Sequence, residues 1–203
     1  MPSRDCPSPA RSRRAPLFAA ALAVGAGCLG LAGCGSSTPS QVYDLTAPVG
    51  AARQTPGRTQ LVVAEPTALQ PLESDRIIVR ANDGSVSNIG GVQWSDRLPR
   101  LLQTRLVEAF ENHGRAVART GVGVNPDTLL QTEIRFFGVR VDGGAQAVVE
   151  LSVKTINNNS GKIVASRVFK GAVPLAEVSG KSAALALDQA ATKVFADVVR
   201  WAH

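Results

Sequence analysis

Thiols are scarce in this chain of 203 residues: Cys6, Cys28 and Cys34 are the whole set, and none lies beyond residue 34. The remaining sequence can therefore build neither a disulfide framework nor a thiolate metal site. Histidine is scarcer still, with His113 at the end of a helical pattern and His203 at the last position. Two such residues do not form a spaced metal set, so no metal ligand is assigned. Aromatics make up 4% of the chain, too few for a base-stacking platform, and nucleic acid is not an expected partner. G-x-S-x-G, Walker A and a complete G-x-G-x-x-G are all missing. Gly121-Val122-Gly123 lacks the third glycine and runs into Asn125-Pro126, as a loop would. Glu108 and Glu111 stand three apart on a helix, the pattern of a solvated face. No catalytic residue and no cofactor emerges, and the expectation is a protein that is not an enzyme.

What is present begins at the N-terminus. Arg4, Arg11, Arg13 and Arg14 precede an apolar run from Ala15 to Gly33, which ends in Leu31-Ala32-Gly33-Cys34. A charged region, an apolar region and small residues, in that order, form a secretory leader. The small-small-Cys ending resembles the lipobox of bacterial lipoproteins, in which cleavage between Gly33 and Cys34 leaves Cys34 as an acylated N-terminus. Cys28 is a rival, but Gly25 occupies the place where a lipobox has Leu; Cys34 has Leu31 there. An uncleaved spanning helix is the alternative, although 19 residues rich in Ala and Gly are short and weakly apolar for it. Ser12-Arg13-Arg14 also offers a weak twin-arginine match. On this reading residues 1–33 are a signal peptide, residues 34–40 the lipidated Cys and a Gly/Ser/Thr/Pro tether, and residues 41–203 one domain. The leader's four Arg and single Asp account for half of the formal charge of +6. The mature surface is then only mildly basic.

Along the domain, Val42–Leu45 and Leu61–Ala64 read as short strands. Ile77–Arg80 and Ser85–Ile89 flank Asn82-Asp83-Gly84, a strong hairpin signal. A helix is expected from Asp96 to Asn112, capped by Ser95, with Pro99 in its first turn and Gly114 as its stop. Its Leu98, Leu101, Leu102, Leu106, Ala109 and Phe110 form one apolar stripe. Arg115–Arg119 reads as a short strand. Leu129–Val141 reads as a long strand with a bulge at Phe136-Phe137, where the alternation slips. Gly143-Gly144 and Asn157–Gly161 turn the chain into two further strands, Ala147–Val153 and Ile163–Val173, making an antiparallel meander. A second helix, Lys181–Trp201, closes the sequence. The expected class is α+β, a largely antiparallel sheet with two helices packed on one face. Arg97 and Arg100 stand at the positive end of the first helix, the wrong way round for its dipole. With Trp94 just ahead of them, they form a candidate partner-binding edge, since aromatics and Arg suit interfaces.

The lipobox at Cys34, Val42-Tyr43-Asp44-Leu45, Leu61-Val62-Val63-Ala64-Glu65-Pro66, Leu72-Glu73-Ser74-Asp75-Arg76-Ile77 and above all Trp94-Ser95-Asp96-Arg97-Leu98-Pro99-Arg100 resemble the auxiliary lipoproteins of ABC-type transporters, the PqiC-like group. Val42 departs from the family, which often has an aromatic there. The resemblance implies a non-enzymatic lipoprotein held to a membrane by covalent lipid and facing the periplasm. Its implied partners are an MCE-domain protein, an ABC permease and an ATPase, and its role lies in lipid transport. Gly35 behind the acylated Cys, where Asp would signal inner-membrane retention, implies sorting to the outer membrane. Two functions stay open: a docking accessory, and a carrier that holds a lipid ligand itself between sheet and helices. A hydrolase is disfavoured by the missing nucleophile–His arrangement.

Overall fold

A computed structural model describes residues 40–50, 59–121, 123 and 125–202. Gly33, Cys34, the leader, most of the tether and His203 lie outside the described residues. In chain order the elements are β1 (Gln41–Tyr43), β2 (Leu61–Val63), β3 (Arg76–Arg80), β4 (Val86–Trp94), α1 (Leu98–Asn112), β5 (Val117–Arg119), β6 (Thr128–Arg140), β7 (Gln146–Asn157), β8 (Ile163–Pro174) and α2 (Gly180–Trp201).

The long strand β6 organises the sheet. Along one edge it pairs antiparallel with β7, and β7 with β8, so the expected meander forms. The opposite edge of β6 is shared. Its first residues take β2 in parallel and its last take β3 in parallel. Outside β2 lies β5, parallel; outside β3 lies β4, antiparallel, with β1 parallel beyond it. The class is α+β, but the sheet is mixed rather than largely antiparallel. The reason is topological: residues 61–80 run alongside β6 in its own direction, and such parallel neighbours need long crossovers instead of hairpins.

At the Arg135 bulge β6 changes phase. Ile134 pairs with Leu151 and Phe136 with Glu150, leaving Arg135 as the extra residue. The expected bulge therefore falls one residue earlier than Phe136. Before it, Leu130, Thr132 and Ile134 are buried; after it, Phe137 and Val139 take over that face. Phe136, Gly138 and Arg140 are turned to the opposite face.

Both helices serve the first face. Residue Gly171 of β8 makes this possible: a Cβ there would lie 2.7 Å from the carbonyl oxygen of Ala190 and 2.9 Å from Val194 Cγ2. Only glycine lets α2 seat so closely. Gly180, at the start of α2, meets Val92 of β4 in the same way. Ser179 and Ser182 form a reciprocal capping box there, satisfying donors that the first helical turn leaves open. The predicted stripe of α1 is buried along its whole length and faces the core that α2 shares. Complete burial of Leu102, Leu106 and Phe110 contributes about 1.5–3 kcal/mol each. The start of α1 differs from expectation. Arg97 occupies the N-cap position with no side-chain cap, because Ser95 is held as the continuation of a strand, its N–H donating to Tyr43 O. Gly114 does end the helix, at φ 75°, with its N–H donating to Glu111 O.

Candidate functional site

The segments that carry the sequence resemblance are far apart in the chain and meet at the start of α1. Arg97 bridges two of them: its Nη1 donates to Glu73 at 2.9 Å and its Nη2 to Glu65 at 2.8 Å. Leu98 N donates to Ser74 O, and Trp94 N to Asp75 O. Arg100 pairs with Asp96 one turn away. Neighbouring carboxylates thus compensate the two arginines that stand at the wrong end of the helix dipole. Each pair is about half exposed and is worth at most about 1 kcal/mol.

Trp94 does not share this exposed edge. It is 1% exposed and packs edge-to-face on Phe137, ring centroids 5.7 Å apart. Its indole is part of the core beneath the helix start, so Arg97 and Arg100 are the surface members of the expected trio. Strand β4 runs on to Trp94, which buries the ring. Gly90-Gly91 within that strand hides the alternation that would have announced it.

A second cluster fastens the chain behind β1 to both helices. Asp44 accepts from Arg105 Nη2 at 2.6 Å, and Glu108 accepts from Nη1 of the same guanidinium. Two residues on, Asp188 of α2 accepts from Thr46 N and Thr46 Oγ1, and Thr192 Oγ1 donates to Thr46 O. Leu45 between them is buried. Residues 44–46 are therefore a clasp joining α1 to α2 at the end of the chain that leads to Cys34. Partial burial of Asp44 works against its charge, but the Arg105 hydrogen bond, the Leu45 N–H and the Arg105 charge outweigh that and hold its pKa below the ordinary value. Only the residue types at positions 44–46 signalled this clasp; its partners are too distant in sequence to be read.

His113 is the C-cap of α1, its ring Nδ1 2.7 Å from Ala109 O, consistent with a polar helix terminus. Among the described residues no group of three His, Cys, Asp or Glu side chains could hold a metal ion. No described helix is long and apolar enough to cross a membrane.

Two hollows remain. One, of about 370 Å³, opens where the chain between Thr67 and Ile78 leaves β6; Leu69, Pro71, Leu72, Arg80, Arg135 and Phe136 are among its lining residues. The other, of about 350 Å³, lies between α2 and β8 and is lined by Arg167, Phe169, Asp197, Arg200 and Trp201. The carrier reading expected an apolar cleft between helix and sheet. The hollow found there is mainly charged, and the more apolar one lies against β6 instead.

Comparison with known proteins places the fold. A sequence model of the family described as ABC-type transport auxiliary lipoprotein component matches residues 43–199. The chain is similar to the uncharacterized protein bll6063 of Bradyrhizobium diazoefficiens, 32% identical over 173 residues that cover 82% of this chain and 46% of that protein. It thus spans about half the length of this curated relative. It is also similar to the crystal structure of protein XCC0632 from Xanthomonas campestris, with TM-score 0.72, 31% identity, and coverage of 80% of this chain and 94% of that one. A further crystal structure, of an uncharacterized protein, shares the fold at TM-score 0.65 and 17% identity, covering 81% of this chain and 99% of that one. The chain belongs to the family of ABC-type transport auxiliary lipoprotein components, and that membership points to an accessory, non-enzymatic role in the cell envelope.

Proposed function

We propose that this protein is a periplasm-facing lipoprotein, anchored through Cys34 in the outer membrane, that docks the membrane subunits of an MCE-associated ABC transport system moving lipid between membranes. The observation that carries the reading is the family match over residues 43–199, the whole domain behind a lipobox ending in Cys34. Partners would be an MCE-domain protein, a permease and an ATPase, the last supplying energy. The anchor follows from lipid chemistry: each buried CH₂ of an acyl chain contributes about 0.8 kcal/mol, so a multiply acylated Cys34 binds stably. The docking edge is assigned to the start of α1, where Arg97 and Arg100 are exposed beside Glu65, Glu73 and Asp96. A mixed-charge rim of this kind sets partner choice more than affinity.

Replacing Cys34 by Ser tests the anchor. The variant is expected in the soluble fraction, with the wild type in the outer-membrane fraction. A variant still firmly membrane-bound would mean that Ala15–Gly33 spans the bilayer.

The second reading, a carrier that holds lipid itself, is favoured by one observation: the hollow of about 370 Å³ beside β6, whose lining joins apolar side chains to arginine.

A further inference from the structure

The chain from Leu61 to Arg80 follows one edge of β6 but does not hug it throughout. Thr67 is still in register with Glu133, its N–H donating to Thr132 O and its carbonyl accepting from Ile134 N. Contact resumes at Ile78, opposite Gly138. Between these points the chain swings out, and β6 has its Arg135 bulge there. The gap between swing and bulge is the cleft of about 370 Å³, near the lower end of the range for small-molecule sites.

Its chemistry is two-sided. Buried Phe136, Ile78 and Leu72 line it together with exposed Val86. Leu69 stands at the lip 83% exposed, a large apolar side chain left in water beside charges. At the β3 end, Arg80 lines the cleft, and Arg140, outside the lining, stands directly opposite it in register. Both guanidinium carbons lie over the Phe136 ring, 4.8 and 4.4 Å from its centroid. Arg140 reaches the ring because strand alternation puts Phe136, Gly138 and Arg140 on one face. Glycine at 138 leaves that space to Ile78, whose Cγ1 would be 2.6 Å from a Cβ there.

Like charges directly opposite on neighbouring strands are unfavourable, and the ring face offsets this only in part. Glu150 lies opposite Phe136 and Glu133 lines the Thr67 end of the cleft. Yet among the described residues no carboxylate comes within 4.0 Å of either guanidinium. Arg140 Nε is buried without a hydrogen-bond partner. Two forked cations, fixed on one ring and lacking an anion, suit the oxygens of a phosphate group.

We infer that this cleft binds a phosphate-bearing amphiphile: the phosphate on Arg80 at the β3 end, in the field of the neighbouring Arg140, and the first methylenes along Leu72, Val86 and Leu69. The cleft admits a headgroup and the start of one chain, with the rest of the chain outside. This deepens the carrier reading and rests on it only in calling the amphiphile a membrane phospholipid. The shared chemistry is phosphate, which free phosphate also offers.

The full-length acylated protein in nonionic detergent, titrated by native mass spectrometry, separates these sources. Phosphatidylglycerol is expected to stay bound, with diacylglycerol and inorganic phosphate each held at least about tenfold more weakly. Arg80→Gln, an exposed position that leaves half-buried Arg140 in place, should weaken phosphatidylglycerol about tenfold or more. Leu69→Ser should weaken phosphatidylglycerol but not inorganic phosphate. Circular dichroism checks that both variants are folded. Equal retention of diacylglycerol, equal affinity for inorganic phosphate, or unchanged binding by folded Arg80→Gln would each overturn the inference. Capture of transport subunits reports on docking separately. Subunits recovered without phospholipid binding remove only the cleft assignment, and phospholipid binding without subunits removes only the docking reading.

Discussion

Adding one methyl group at Gly171 should destabilise the domain, although the same change at Gly90 of β4 should not. A Cβ at Gly171 would meet the Ala190 carbonyl oxygen at 2.7 Å and Val194 Cγ2 at 2.9 Å, against the 3.5–4.0 Å or so of a comfortable carbon contact. Helix α2 would have to lift by several tenths of an ångström along the core it shares with β7 and β8, and overpacking of this kind costs about 1–3 kcal/mol. Gly90 of β4 is the control. It lies in a strand with nothing within 4 Å of the place an alanine methyl would take, and replacing a strand glycine there removes unfolded-chain entropy, stabilising by about 0.4–1 kcal/mol. The two Gly→Ala variants should therefore move thermal unfolding in opposite directions. At about 2–4 °C per kcal/mol for a domain of this size, Gly171→Ala should lower Tm by roughly 2–12 °C and Gly90→Ala should raise it slightly. Urea titration gives the same comparison with equal slopes. If Gly171→Ala unfolded at or above the wild-type temperature, α2 would not be seated on β8 as described, and the account of the core would fail with it.

Acid should loosen the clasp at residues 44–46. Asp44 has its folded pKa held below 3.8, so its contribution is present at neutral pH and is lost as pH falls below 3.8 and through the folded value. Asp44→Asn should lower stability at pH 7 and flatten the pH dependence in that acidic window; parallel wild-type and variant curves would refute the assignment. Leu106→Ala, at a fully buried position of α1, should cost about 2–5 kcal/mol in chemical denaturation, and a loss under about 1 kcal/mol would show that the stripe does not face the core. Arg100→Glu, which disturbs only the pair with Asp96, should leave Tm within a degree or two while reducing capture of the transport subunits; unchanged capture would remove the start of α1 from the docking surface.

Face and period were legible in the sequence; neighbours were not. The stripe on α1, the second helix and the meander from β6 to β8 follow from spacing and from turn residues such as Gly143-Gly144. The doubled Phe136-Phe137 announced the bulge because two large apolar residues cannot alternate. The parallel ladders were hidden because residues 61–63 meet residues 128–130, and alternation tells which face is buried but not which strand lies alongside. Trp94 and Ser95 misled for one reason: β4 continues through Gly90-Gly91 to bury the indole, and the chain stays extended past the point where a cap would form. Of the candidate site, Arg97 and Arg100 are on the surface as expected, and Cys34 lies outside the described residues. The Arg80–Arg140 pair escaped notice, since its members are 60 positions apart in sequence and only the parallel pairing of β3 with β6 brings both over one ring.

An accessory of a membrane transport system should stay with the transport subunits when the envelope is dissolved in mild detergent, and affinity capture of the full-length acylated protein from such an extract measures this. An MCE-domain protein should be recovered together with an ABC permease, and recovery of neither, with the bait intact and membrane-bound, would overturn the proposed role.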